Sequence, residues 1–398
     1  MPRADEPGNS IRDQYRLAYR KLYAWAGIGV YKRITKRHYL DGEPGAPHTK
    51  DYISMHEVKL FVDITPTNEN YWRAIILFGR NVASYKFALA QALLEMSQHQ
   101  GESILLEDLA IPFARHICAH LQAAPKQSTA TSSRFLATCA RYNHGELSAQ
   151  LLAEATVRLG FNHVIDAFHI VNQQEVPIRF FADERKSGAI RLTDAFYAMQ
   201  GASAARNLPG EVEARWRLVE TAWALKLSRN IVGVAYDRAT HDLFARAAGR
   251  RITVTSCRAA LNGYQKGKCF YCASPVSICP GAADLADVDH FFPHALSKLS
   301  DAFKASINGV WNLVLACPSC NRGAEGKWAQ LPALYLLERL HRRNEYLISS
   351  HHPLRETIIA QTGDKEAARR TFLQINYNDS QAAMGAPWSP KYSEAEFL

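Results

Sequence analysis

Between Cys269 and Lys327 the chain gathers the side chains best suited to metal and proton chemistry. Two Cys-x-x-Cys pairs, Cys269/Cys272 and Cys317/Cys320, flank an Asp289-His290 pair, and Asn321 directly follows the last cysteine. A two-residue gap lets both sulfurs of a tight turn face one ion, so two such pairs predict a tetrahedral structural Zn²⁺ site. Between the pairs, a carboxylate, an imidazole and an amide are the groups that hold a second, hard cation and activate a water beside it. The chemistry this combination suits is phosphodiester hydrolysis. Such an ester repels hydroxide and has a poor alkoxide leaving group, so it needs both a base and a cation. His290, with an ordinary pKa near ~6.5, takes a proton from water at neutral pH. Asp289 and the Asn321 side-chain carbonyl offer the one or two oxygens that Mg²⁺, which keeps several of its waters, requires.

The elements that must position these groups are short. Asp287 to Pro293 alternates polar and apolar residues before the proline, as a strand with one face on a core does, and alternation sends Asp289 and His290 to opposite sides. Asn308-Gly309 makes a turn, Val310 to Leu315 is apolar enough to pack under the second knuckle, and a helix starts near Asn321. A unit of about sixty residues buries little apolar surface, whereas a structural Zn²⁺ adds an apparent ~10–16 kcal/mol of folding free energy. Plainer readings exist for each residue: four buried thiols, a zinc-ligating His290, Asn312 as a turn residue, Asn321 as a helix cap. Asp287 reads as solvated or structural and His294 as an exposed loop histidine. Of the other cysteines, Cys118, Cys139 and Cys257 lack metal spacing, and Cys279 reads as a loop thiol.

The segment from about Gly263 to Pro332 resembles the zinc-stapled members of the HNH endonuclease family. The resemblance is carried by Asp289-His290 followed by Pro293, by Asn312, and by Cys317-Pro318-Ser319-Cys320-Asn321-Arg322. It implies a ββα-metal core in which His290 is the general base, Asp289 and Asn321 bind the catalytic Mg²⁺ or Mn²⁺, and Asn312 orients the base-bearing loop. The spacer from Cys272 to Asp289 is long for the family, and the lysine that often follows the final asparagine closely is delayed to Lys327 by Gly323-Ala324-Glu325-Gly326. The implied activity is cutting of DNA, most readily double-stranded, to leave 5′-phosphate ends. A role in bacterial antiphage defence follows only by analogy. RNA as the cleaved strand, or a non-catalytic zinc scaffold that binds nucleic acid, are the alternatives.

Charge and composition agree with a polyanionic partner: 47 Lys and Arg against 38 Asp and Glu give a net charge of +9. Before Asp41 the cations Arg3, Arg12, Arg16, Arg20, Lys21, Lys32, Arg33, Lys36 and Arg37 interleave with Tyr15, Tyr19, Tyr23, Trp25 and Tyr31. That pattern serves either base stacking or an amphipathic helix. A second basic group including Arg250, Arg251 and Lys268 leads into the first knuckle, and Arg322 and Lys327 follow the second. These five are the expected nucleic-acid contacts. No apolar run reaches the ~18 residues of a membrane span, and the cysteine usage fits a reducing compartment, so a cytoplasmic protein without a membrane partner is expected.

Helical periodicity predicts one long helix over Tyr71–Met96, another over Ile104–Leu121 bent at Pro112, and further helices over Gly145–Leu159 and Gly210–Leu227. The stretch 125–133 reads as an exposed loop, and Ile178–Phe181 with Ile190–Leu192 as a hairpin turning around Lys186-Ser187-Gly188. His116 and His120, one helical turn apart, read as structural or surface residues. Leu334–Leu347 is a helix carrying Arg339, Arg342 and Arg343, followed by a tail of little pattern. The fold class is therefore α+β: a basic aromatic segment (1–50), a helical recognition or regulatory module (51–245), a ββα-metal nuclease domain (246–335), and a C-terminal helix and tail (336–398). The helical module is also the expected surface for a protein partner or a second copy.

Overall fold

The chain divides its first predicted helix in two. In this computed structural model, which describes residues 67–78, 82–98, 103–130, 132–171, 174–224, 234–247, 250–298, 307–349 and 354–391, α1 is Asn68–Leu77 and α2 is Tyr85–Glu95. The Thr67 hydroxyl accepts from Asn70 N to begin α1, and Phe78 leaves helical geometry at φ −102°, ψ 146°. In the sequence Gly79 follows, a residue ~1 kcal/mol poorer than alanine in a helix interior. The basic aromatic segment 1–50 lies outside the described residues.

Strand β1 (Ser103–Leu105) leads into α3 (Leu106–Ala123), which runs through Pro112 and buries Leu109, Phe113 and Ile117 along one stripe. Helices α4 (Arg134–Asn143) and α5 (Ala149–Ala155) pack against it, and α5 continues as a π-helical turn over Thr156–Gly160. The expected hairpin is present with its first strand displaced toward the turn, as β2 (Phe181–Glu184) in place of 178–181 and β3 (Ala189–Leu192), with Gly188 at φ 74° between them, and β1 joins it in the antiparallel order β1-β3-β2. Helix α6 (Leu208–Ala224) packs against α1 and α2. The stretch 125–133 is a loop, but not an exposed one throughout. Gln127 is buried, its carbonyl accepting from Trp216 Nε1 at 3.0 Å and its amide donating to Ala124 O at 2.9 Å.

A three-stranded meander follows: β4 (Val234–Asp237), β5 (Asp242–Ala247) and β6 (Arg250–Ser256), all antiparallel. Helix α7 (Cys257–Gln265) then delivers the chain to the first cysteine pair. Strand β7 (Asp287–His290) pairs antiparallel with β8 (Leu313–Ala316), His290 opposite Leu313 and Asp287 opposite Ala316, and α8 (Pro318–Arg322) follows at once. After α9 (Leu334–Ser349) the predicted tail contains two more helices, α10 (Leu354–Thr362) and α11 (Glu366–Met384). Helix α11 buries few residues, Leu373 and Tyr377 among them, so its apolar stripe is thin and easily missed. Helices with small antiparallel sheets make the fold α+β. Within the helical part Arg73 on α1 donates to both oxygens of the buried Glu211, at 2.9 and 3.0 Å, and Asn262 on α7 ties the cysteine-bearing part to the same carboxylate, donating at 2.8 Å. Among the described residues no helix is long and apolar enough to cross a membrane.

Candidate functional site

The four predicted cysteines converge. The sulfurs of Cys269, Cys272, Cys317 and Cys320 lie within 4.8 Å of one another, an arrangement compatible with a tetrahedral zinc site, and theirs is the one such cluster of His, Cys, Asp or Glu among the described residues. Both knuckles are tight turns. Cys269 N donates to Ser274 O and Ala273 N to Cys269 O, with Ala273 in the left-handed region at φ 65°. Cys317 caps α8, its sulfur accepting from Cys320 N. Hydrogen bonding among the four sulfurs lowers the Cys272 and Cys317 thiols and raises those of Cys269 and Cys320. The first knuckle is held from two sides. Arg339 of α9 donates to Phe270 O at 2.6 Å and to Tyr271 O at 3.2 Å, and Gln265 bridges Lys268 O and Leu315. Arg343 is fully buried and donates to Trp311 O at 2.9 Å. Arg339 and Arg343 of α9 thus staple backbone carbonyls.

Beside the tetrad opens a cavity of about 420 Å³ bordered by Asp287, Asp289 and His290 of β7, Asn321 and Arg322 of α8, and Lys327 and Trp328 just beyond. Asp289 and His290 both reach it although strand alternation separates them. Asp289 is nearly buried. It accepts from Tyr271 Oη at 2.6 Å and pairs with Lys327 Nζ at 3.1 Å. Burial, with the carboxylate's charge adding, pushes the Tyr271 phenol well above its usual range, so it remains a donor. His290 Nε2 lies 2.9 Å from Asn308 Oδ1, and burial pulls its pKa down to about 4 despite that bond and the nearby Asp289 charge. The ring is therefore neutral at physiological pH.

Asn312 is fully buried behind this surface and does not border the cavity. Its carbonyl accepts from Phe292 N at 2.8 Å, and its amide donates to Phe292 O at 3.0 Å and Ile307 O at 2.8 Å. It therefore fixes the path of the chain immediately after His290. Asn321 donates to Asp287 Oδ2 at 3.1 Å, and Arg322 Nε to the same oxygen at 2.8 Å. Asp287, read from the sequence as solvated or structural, thus organises α8 at the cavity wall.

The expected nucleic-acid contacts separate. Arg322 is exposed at the rim. Lys327 has no exposed surface. Its ammonium donates to His290 O at 2.9 Å and to Asp289, and burial lowers its pKa. The intervening glycines explain this placement: a Cβ at Gly323 would lie 2.5 Å from Ser319 O and one at Gly326 2.8 Å from Gly323 N, so the chain folds back and Lys327 N reaches Cys320 O. Lys268 sits half-buried on the first knuckle, and Arg250 and Arg251 on β6 opposite Ala247 and Arg246. Lys268 does not border the cavity. His120 is buried, stacked on Trp216 at 3.5 Å and bonded to Glu220 and Glu213, whereas His116 meets Glu95. These two histidines share no acidic ligand in those bonds.

Sequence reasoning missed the opposite wall, where the β4–β5 hairpin contributes Tyr236, Arg238 and His241. Tyr236 Oη lies 2.6 Å from His241 Nδ1, and its ring meets His290 edge-on at 5.9 Å. His241 at φ 59°, a sparsely populated conformation for a non-glycine residue, is a signal that only coordinates reveal. Tyr271, between the first two cysteines, was legible only as part of a turn. Comparison of the chain with protein-family models, with curated proteins and with solved structures returns no match.

Proposed function

We propose that this protein is a metal-dependent endonuclease of the HNH type that hydrolyses phosphodiester bonds in DNA. The observation that carries the reading is the meeting of Asp289, His290 and Asn321 on one cavity beside the cysteine tetrad. The strand, strand, helix order of β7, β8 and α8 supports it, as does a rim bearing Arg238 and Arg322. Asp289 and the Asn321 side-chain carbonyl would offer oxygen ligands that suit a hard cation, with water completing its shell. A cation there, Mg²⁺ or Mn²⁺, would stabilise negative charge on the departing oxygen.

The residues of the chain do the rest. His290, neutral, accepts a proton as water oxygen bonds to phosphorus. The bond from phosphorus to the 3′ oxygen breaks, that oxygen takes a proton from solvent, and a 5′-phosphate end remains. Asn312 and Asn308 hold the imidazole and its loop in place. Arg322 and Arg238 attract the strand. The test is nicking of supercoiled plasmid by purified protein with Mg²⁺ or Mn²⁺. Cutting that is lost in His290→Ala supports the assignment, and equal cutting by that variant overturns it.

A zinc-containing nucleic-acid scaffold is the second reading, favoured by one observation: Lys327 already neutralises Asp289. Gel shifts that survive Asp289→Ala, with no cleavage by the unmodified protein, would select it.

A further inference from the structure

Trp328 stands at the mouth of the cavity with 59% of its surface exposed, yet it is held firmly. Its indole N–H donates to Gly323 O at 2.8 Å and its backbone N–H to Asn321 O at 2.9 Å. The preceding residue, Lys327, is anchored in the core, and its ammonium also reaches Trp328 O. The backbone at Trp328 lies in the left-handed region, φ 47°, which bulky residues rarely adopt. Folding gains nothing from either feature: an apolar ring left in water and a strained backbone both oppose it. What the arrangement provides is a flat aromatic face of fixed position, on the same cavity as Asp289 and His290 and next to the exposed guanidinium of Arg322. Aromatic faces among cations bind nucleic acid by stacking on bases while the charges follow phosphates.

We propose that Trp328 is a stacking platform for an unpaired nucleobase adjoining the scissile phosphate, so that the substrate is a single strand, a flap, a loop or a nucleotide turned out of a duplex. A base within an intact helix has both faces covered by its neighbours, and only a displaced one offers a face to the indole. This inference rests on the nuclease reading for the position of the phosphate, but stacking itself is measurable without cleavage.

The experiment uses the full chain and fluorescein-labelled oligonucleotides, with binding read by anisotropy in the absence of added divalent ions. Unmodified protein binds a single strand or a bulged duplex more tightly than a perfect duplex. Trp328→Ala weakens binding to the unpaired strand roughly ten- to hundredfold, whereas Trp328→Phe keeps most of it. A scan of abasic nucleotides then finds a position at which removing the base weakens the unmodified protein but leaves Trp328→Ala unchanged. Zinc content and circular dichroism of both variants verify that they are folded. If Trp328→Ala binds every oligonucleotide within about twofold of the parent, or the abasic scan affects both proteins equally, the platform is refuted. Cleavage of the same oligonucleotides with Mg²⁺ separates the two ideas. Coupling without any cleavage sustains the platform and removes the nuclease reading, while cleavage without coupling does the reverse.

Discussion

Replacing Asn312 by alanine removes three buried hydrogen bonds and leaves Phe292 N, Phe292 O and Ile307 O facing a hole. At a net ~1 kcal/mol for each bond the loss is about 3 kcal/mol, and it rises toward twice that where the abandoned backbone groups stay dry, since each unsatisfied group costs about 1–3 kcal/mol. Set against a typical domain stability of ~5–15 kcal/mol, the variant remains folded but much weakened. Asn312→Asp does not rescue it. A carboxylate still accepts from Phe292 N, but it turns an oxygen toward two carbonyl oxygens that had received N–H donors. Urea denaturation with parallel plasmid cleavage checks both parts. The midpoint falls in both variants, zinc content stays at that of the parent because the cysteines are untouched, and turnover drops more than substrate affinity because the group displaced is His290 and not the rim arginines. A ΔΔG within about 0.5 kcal/mol, typical of an exposed site, would refute the argument that Asn312 fixes the loop.

Cys320→Ser is expected to abolish zinc binding and expose β7 and β8 to rapid amide exchange, because a zinc on the four sulfurs would add a large folding free energy to this unit. Metal analysis with hydrogen exchange reads the result, and retained zinc with unaltered protection contradicts it. Arg73→Met strands the Glu211 carboxylate with little beyond the Asn262 amide, so it destabilises by roughly 3–5 kcal/mol. Adding Glu211→Leu recovers much of that loss in the same denaturation assay, and a double variant no better than the single one would argue against the pair. His169 is buried, accepts from Phe180 N at 3.0 Å, and is pushed down to about 3 by burial, with Arg179 and Lys86 adding. The unfolded chain therefore binds the extra proton first. The stability from neutral His169 is intact above about pH 6.5 and falls by up to about 1.4 kcal/mol per pH unit as pH drops toward 3. His169→Gln has a shallower acid slope in urea melts between pH 7 and 5, and equal slopes would remove His169 as the cause.

What the sequence disclosed was chiefly local. Two cysteine pairs announce themselves by a two-residue gap, and Asp289, His290 and Asn321 gain meaning from their place around those pairs. The β2–β3 hairpin was readable because Gly188 marks its turn. Contacts made across long separations were hidden. Nothing near Tyr236 or His241 indicates that their hairpin walls the cavity, and nothing near Arg339 indicates that it serves the first knuckle. Lys327 illustrates the difficulty best: a lysine after a glycine-rich turn reads as a surface cation, and only the fold-back forced at Gly323 and Gly326 turns it into the buried partner of Asp289. Asp287 was undervalued for the same reason, since its partners lie on α8.

The most direct test of a cation site beside a cysteine-bound zinc is anomalous diffraction from crystals soaked in Mn²⁺, recorded at both the zinc and manganese edges. A zinc peak is expected among Cys269, Cys272, Cys317 and Cys320, and a separate manganese peak in the adjoining cavity ligated by Asp289 and Asn321, with the Lys327 ammonium moved off the carboxylate. A cavity without manganese, in which Lys327 still holds Asp289, would contradict that expectation.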